Sequence, residues 1–224
     1  KDLFVENDNV YMKTVKGPLR VDCIYRRLDD SFLDPKAFNK DSLIGVPGLF
    51  KCWLKKNVGI LNAVGTGVAD DKVVYSYVNK MITYYLGEQP ILDQVETYLC
   101  HDETHKKYVI ENISKLVVKP ANASGGYGIM IGPKAPKKEI EETIIKIKKN
   151  PREYIAQPLE ILSTAPTITE HDIEPRHLDL RPFVLTGKSN YVTSGGLTRV
   201  ALRKGSTIVN SSQGGGSKDT LIVG

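Results

Sequence analysis

The chain has 224 residues, a formal net charge of +5, 25% charged residues and 41% hydrophobic ones, which suits one large domain or two small ones with an ample buried core. Its lysines and arginines are spread along the chain with acidic residues between them, which speaks for solubility and some attraction of anions and against the basic stripe of a nucleic-acid binder. No run approaches the roughly 18 apolar residues of a membrane span, no signal peptide is expected, and Cys23, Cys52 and Cys100 form an odd set without framework spacing, which predicts a reducing cytoplasm. A first residue Lys1 and the apolar run Leu221-Ile222-Val223-Gly224 at the other end lead us to expect a piece of a longer protein.

Residues 3 to 34 are β-rich. Val10-Tyr11-Met12 and the run Leu19 to Tyr25 are predicted to pair across Lys16-Gly17-Pro18, a turn signal. The second strand leads into Arg26-Arg27-Leu28-Asp29-Asp30. Two readings stay open for this cluster: a solvated strand end, or an anion or metal site with Arg26, Arg27, Asp29 and Asp30 toward a substrate. Asp34-Pro35 is predicted to open a short helix, with Asp34 as its cap and Pro35 at the first helical position.

Pro47 to Lys56 reads as a helix with Leu49, Phe50, Trp53 and Leu54 on a core-facing side. Val58 to Val64 reads as a buried strand running into Gly65-Thr66-Gly67. There Asp70 takes the third glycine place of a dinucleotide fingerprint and would repel a pyrophosphate. A continuous helix is predicted from Asp71 to Leu86, capped by Asp70 or Asp71, ended by Gly87 and striped by Val74, Val78, Met81, Ile82 and Tyr85. Lys72 stands in its first turn, where the helix dipole disfavours a cation, a weak pointer to an anionic ligand. Cys100, His101 and His105 are one isolated trio and a poor zinc set.

Leu116 to Gly132 reads as a short apolar strand ending on Lys119 and Pro120, a loop holding Ser124-Gly125-Gly126-Tyr127-Gly128, and a second apolar run, Ile129-Met130-Ile131. Pro120 biases Lys119 to an extended conformation, and the glycines leave backbone N–H groups uncovered. A lysine beside such amides can cradle phosphate; a plain hairpin with a glycine-rich turn is the alternative.

A charged helix follows over about Lys137 to Lys149, with Ile140, Ile144 and Ile147 inward, ended by Pro151. Tyr154 to Leu159 reads as a strand broken at Pro158, the sort of backbone that crosses between lobes. Ser163 to Pro175 is predicted to be a loop. In His177 to Leu185 the alternation puts His177, Asp179 and Arg181 on one face of a strand. Tyr191 to Arg203 and Thr207 to Val209 are predicted to be further strands joined at Lys204-Gly205. Asn210 to Lys218, with Gln213 and Gly214-Gly215-Gly216, reads as a second glycine-rich loop bearing a lysine.

Neither glycine loop fits a Walker loop, which needs G-x-x-x-x-G-K-S/T and a following helix. Protein kinases also use a hairpin flap, but their lysine follows it and they need H-R-D and D-F-G, which are absent. The ordered set VDCIYRRLDDSFLDP, LIGVPGL, NAVGTGVADDK, YYLGEQPIL, VVKP, SGGYG, YIAQP, RHLDLRPFV, GGLTRVAL and NSSQGGGSKDT resembles the circularly permuted (type 2) ATP-grasp proteins related to glutathionylspermidine synthetase. The resemblance covers nearly the whole chain. It implies an α+β ATP-grasp fold, two α+β lobes gripping ATP, here as a fragment of a longer permuted chain. The expected parts are residues 1–69 as a permuted N-terminal region, 70–160 as the lobe with flap and hinge, and 161–224 as the β-rich lobe.

By this resemblance Lys72 and Lys119 would contact ATP phosphates, and Ser124 to Gly128 would cover them. Gln157, Pro158 and Leu159 would hold adenine through the backbone, and Asp179 would belong to the nucleotide site. Arg181, Arg199, Asn210, Gln213, the Gly214 to Gly216 loop and Lys218 would surround the γ-phosphate and an acyl phosphate. The implied chemistry is ligation of a carboxylate to an amine of the peptide, amino acid or polyamine class, with ATP and Mg²⁺. A non-catalytic nucleotide-binding module and a phosphotransferase are the alternatives. No metal-binding E-x-N follows Asp179, so the metal ligands are unknown and are expected in a segment before Lys1, which would leave this chain inactive alone.

Overall fold

The computed structural model describes residues 2–122, 126–169, 172–211 and 214–221. It divides into two compact units, Lys1–Pro90 and Ile91–Gly224.

The first unit opens with an antiparallel meander: β1 (Leu3–Glu6), β2 (Asn9–Thr14) and β3 (Gly17–Arg20). Asn7 and Asp8, at φ 51° and 59°, form the left-handed two-residue turn between the first two strands that matches strand twist. The run expected as one strand to Tyr25 is split. After β3 the chain leaves the meander, and β4 (Cys23–Tyr25) pairs in parallel with β5 (Gly59–Leu61). β5 is half-exposed rather than buried, with only Ile60 of its three residues inside.

Two helices lie between those strands, α1 (Asp30–Leu33) and α2 (Leu49–Leu54). Asp29 caps α1, accepting from Ser31 N at 2.9 Å and Ser31 Oγ at 2.7 Å. No helix starts at Asp34-Pro35. Asp34 ends α1 instead, and its buried carboxylate accepts from Gly48 N at 3.0 Å and Phe50 N at 2.9 Å. It therefore satisfies the unpaired first amides of α2, whose own cap residue is Gly48 with no side chain to offer. Leu49 and Cys52 of α2 join Val10, Leu33, Val58 and Ile60 in the core, with Trp53 packed on it, while Leu54 is exposed.

The continuous helix expected from Asp71 to Leu86 is broken into α3 (Lys72–Tyr75), α4 (Val78–Met81) and a π-type stretch over Ile82–Leu86. Asp71 does cap the start, accepting from Val73 N at 2.7 Å, and Gly87 ends it at φ 67°. None of the expected stripe residues is buried. Val74, Met81 and Ile82 are only half-buried, so little tertiary packing supports the helix against the poor propensity of this valine- and tyrosine-rich segment. Ser76 Oγ also bonds back to Val73 O at 2.7 Å, a local competitor of the helix ladder.

The second unit holds two sheets. One has the order β6-β9-β7-β8, built from β6 (Tyr98–Leu99), β7 (Leu116–Pro120), β8 (Met130–Ile131) and β9 (Tyr154–Pro158), antiparallel throughout. Helices α5 (Glu103–Asn112) and α6 (Lys137–Lys149) pack on one face of it. Val109, Ile113 and Ile147 meet Leu116, Val118, Met130 and Ala156 there, with Ile140 and Ile144 alongside. Strand alternation sends Val117, Lys119, Ile155 and Gln157 to the other face.

The other sheet has the order β10-β11-β12-β13, from β10 (Thr164–Ile168), β11 (Ile173–Thr186), β12 (Asn190–Val200) and β13 (Gly216–Leu221). Most of the predicted loop Ser163–Pro175 is β10 and the start of β11. Pro166 belongs there because β10 is an edge strand, where a missing N–H can face away from the ladder. Thr207–Val209 forms no strand; the free edge of β12 is taken by Gly216–Leu221, so Gly216 and Lys218 sit in a strand and not a loop.

Candidate functional site

β7 and β8 pair directly, Val117 opposite Ile131 and Val118 opposite Met130, so the glycine segment joins two strands as a flap and caps no helix. Of the flap, Ser124 and Gly125 lie outside the described residues. Gly126 and Gly128 hold φ of 80° and 71°, open to glycine at little cost. A Cβ on Gly128 would also stand 3.0 Å from Pro120 Cγ. Tyr127 is exposed, and Ala121 N anchors the base of the flap on Glu153 O at 2.8 Å.

Lys119 stands at the flap's entrance. Its Nζ donates to Gln157 Oε1 at 2.6 Å, and Gln157 Nε2 donates to Thr97 Oγ1 at 2.8 Å. The resemblance assigned only backbone groups to Gln157, Pro158 and Leu159; the Gln157 side chain and Thr97 were not read from the sequence. The signal was the strand parity of Lys119 and Gln157, which becomes visible once β7 is known to pair with β9.

In the second sheet Asp179 faces Arg199 across β11 and β12. Arg199 Nε donates to Asp179 Oδ1 at 2.8 Å, and Nη2 pairs with Oδ2. Arg181, two residues on and so on the same face, donates to Oδ2 at 3.3 Å. The hydrogen bond from Arg199, then the charges of both arginines, hold the Asp179 carboxyl below the usual carboxylate range, and the same bond raises Arg199. His177 shares this face, with Nδ1 2.7 Å from Leu162 O.

Lys218 does not join that cluster. It pairs with Thr198, and Thr198 points to the side opposite Arg199. Its Nζ reaches the Pro166 carbonyl on β10, the far edge of the sheet. Flat strands would hold those edges about 14 Å apart, beyond a lysine's reach, so the sheet is curled. Asn210 and the glycines form a tight turn: Gly215 N donates to Asn210 O at 2.9 Å and Gly214 N to Ser211 O at 3.2 Å. Gln213 lies outside the described residues.

The first unit holds the remaining candidates. Burial pushes the Lys72 ammonium below the usual lysine range, against the opposing pull of Asp71 and Asp70. Arg26 is buried and engaged at all three nitrogens: Nε donates to Asn62 O at 2.7 Å, Nη1 to Leu28 O at 2.6 Å and Nη2 to Ala63 O at 2.7 Å, with Asp30 Oδ1 2.6 Å from Nη2. Asp30 Oδ2 accepts from Gly65 N at 3.0 Å. Arg26, Asp29 and Asp30 thus hold the local backbone, and Arg27 is exposed.

Among the described residues no group of three His, Cys, Asp or Glu side chains converges as a metal shell, and no helix is long and apolar enough to cross a membrane.

The family model for circularly permuted ATP-grasp, type 2, matches residues 1–201. An uncharacterised protein of Synechocystis sp. is 54% identical over the whole chain, which covers 47% of that protein. An uncharacterised protein of Mycobacterium tuberculosis is 50% identical over the whole chain, which covers 41% of it. A Frankia casuarinae protein named "Putative glutamate--cysteine ligase 2-2" is 48% identical over 99% of the chain, which covers 26% of that protein. The chain spans about half the length of the first of these relatives and less of the other two.

Proposed function

The chain belongs to the circularly permuted ATP-grasp type 2 family, and on that premise we propose that it supplies most of the ATP site of a carboxylate–amine ligase working through an acyl phosphate. The observation that carries the proposal is Lys119 at the end of β7, held by Gln157 and leading straight into a glycine flap that returns as β8. A hairpin flap with a lysine at its entrance suits a phosphate chain laid under backbone amides.

Such chemistry needs charge stabilisation and positioning more than a nucleophilic side chain. In our reading Lys119 and the flap amides bind the phosphates, and the backbone of Gln157 to Leu159 takes the adenine. Arg181 and Arg199, kept aligned by Asp179, stabilise the charge of the transferred phosphoryl group and the acyl phosphate. Asn210, the turn at Gly214 and Gly215, and Gly216 at the start of β13 are assigned to the same end of the nucleotide. Lys218, on the other side of its sheet, is assigned to holding the sheet closed. Lys72 of the first unit is a further phosphate ligand by family likeness.

The family implies Mg²⁺, which would supply neutralisation of phosphate charge. The described residues do not fit a shell for it: no three acidic, His or Cys side chains converge among them, and Asp179, the carboxylate in the arginine cluster, is already engaged by Arg199 and Arg181. The three cysteines are free, in keeping with a cytoplasmic reaction. The relative's name supports a ligase, and the chain covers only a quarter of that protein.

The test is a phosphate-release screen of the full-length protein with ATP, Mg²⁺ and pools of amino acids, peptides and polyamines. Release that depends on both a carboxylate and an amine, with an amide product, is the expected result. ATP binding without release by any pool points to a non-catalytic module, and a phosphorylated acceptor without an amide points to a phosphotransferase.

A further inference from the structure

Val95, Thr97, Gln157 and Lys119 form a row of hydrogen bonds that has one direction. Thr97 Oγ1 donates to Val95 O at 2.9 Å. With its single hydrogen so used, the hydroxyl can only accept from Gln157, at 2.8 Å. That fixes the nitrogen end of the amide toward Thr97 and leaves Oε1, the acceptor, for Lys119 Nζ at 2.6 Å. A flipped amide would set two donors, its NH₂ and the ammonium, against each other. Gln157 is 7% exposed, so water cannot substitute readily for either partner, and leaving one end unmet costs the desolvation of that group.

The row runs diagonally across β6, β9 and β7 on the face away from α5 and α6. The pairings Tyr98–Ala156 and Leu99–Ile155 put Thr97 beside Gln157 at the next register step. Gln157 is neutral, so it holds the ammonium in place without cancelling its charge, which a carboxylate there would do.

We infer that Thr97 is a positioning residue of the nucleotide site, acting through Gln157 to aim the Lys119 ammonium at the phosphates. The inference rests on the reading of Lys119 as a phosphate ligand.

The experiment is isothermal titration of the full-length protein with ATP and Mg²⁺, with a thermal melt of every variant. Thr97→Val, which keeps the shape and removes the hydroxyl, is expected to weaken binding about tenfold, and Thr97→Ser to restore it to within about twofold. Gln157→Ala is expected to weaken binding by a similar factor, and adding Thr97→Val to it to change nothing more. Gln157→Glu weakens binding too, by neutralising Lys119. The proposal is overturned by full affinity in Thr97→Val, by failure of serine to rescue, or by an undiminished valine effect in the Gln157→Ala background. Unchanged affinity in Lys119→Met would instead remove the underlying reading of the lysine.

Discussion

Asp179 and Arg199 stand directly opposite each other on neighbouring antiparallel strands and are joined through both carboxylate oxygens, with Arg181 as a second cation on Oδ2. A bidentate pair of this kind fixes the plane of a guanidinium as well as its place. It therefore presents the remaining arginine donors in a set direction.

The pair makes stability depend on pH. The carboxyl of Asp179 titrates below its ordinary value, chiefly because of the bond from Arg199. The stabilisation is thus fully present above the unfolded value, near pH 4, and fades as pH falls through the lower folded one. Denaturant midpoints at pH 7 and pH 3 are expected to differ more for the parent than for Asp179→Asn, which should lose about 1–2 kcal/mol at pH 7. An equal pH response in the two proteins would contradict the pair's contribution.

Lys119→Met is expected to lower ATP affinity at least about a hundredfold, since a charge-assisted contact is among the stronger ones. Only about 1 kcal/mol of stability should go with it, for the partner lost by Gln157. Calorimetric titration and a thermal melt on the same sample separate the two effects.

Arg26→Met should cost about 3 kcal/mol, because it strands the carbonyls of Leu28, Asn62 and Ala63 and the carboxylate of Asp30. Arg27→Ala should stay within about 0.5 kcal/mol. Should Arg26→Met keep its stability and lose its response to substrate, the cluster is a ligand site after all.

Gly132 follows the flap's second strand, and a Cβ there would lie 2.1 Å from Ile113 O and 2.7 Å from Leu116 O. Both obstacles are backbone, so Gly132→Ala should cost about 3 kcal/mol by overpacking. Gly65, at φ +92° with open space around it, should show only the left-handed strain of about 1 kcal/mol on the same change. Chemical denaturation of the two variants gives the comparison.

Burial pushes the Cys100 thiol up to about 11 and raises Cys52 as well, whereas Cys23 is exposed. A thiol reagent at neutral pH should modify Cys23 in the folded protein, and the other two only after unfolding. Mass spectrometry of the labelled peptides reads this directly.

The flap hairpin, α6 and the shared face of Asp179 and Arg181 were legible because each rests on a local period: alternation for the strands, isoleucines three and four apart for the helix. The family was legible from the order of its motifs and is borne out by the match over residues 1–201. What failed depended on partners distant in sequence. β10 looked like a loop because Pro166 hides an edge strand, and the valine stripe after Asp71 promised a helix whose apolar residues stay half-buried or exposed. Asp34 was read as a cap for the residues beside it and caps a helix fourteen residues away. The resemblance put Lys218 with Arg199 around the γ-phosphate, and the register pairs it with Thr198, whose side chain takes the other face of the sheet.

The contact from Lys218 to Pro166 spans 52 residues, whereas the turn between β11 and β12 closes within a few. Contacts this far apart in sequence form late, since the intervening chain must be ordered before they are rewarded. The β11–β12 hairpin can therefore assemble first, and β13 docks onto a template already in place. The last strand to arrive is the one whose lysine latches the first.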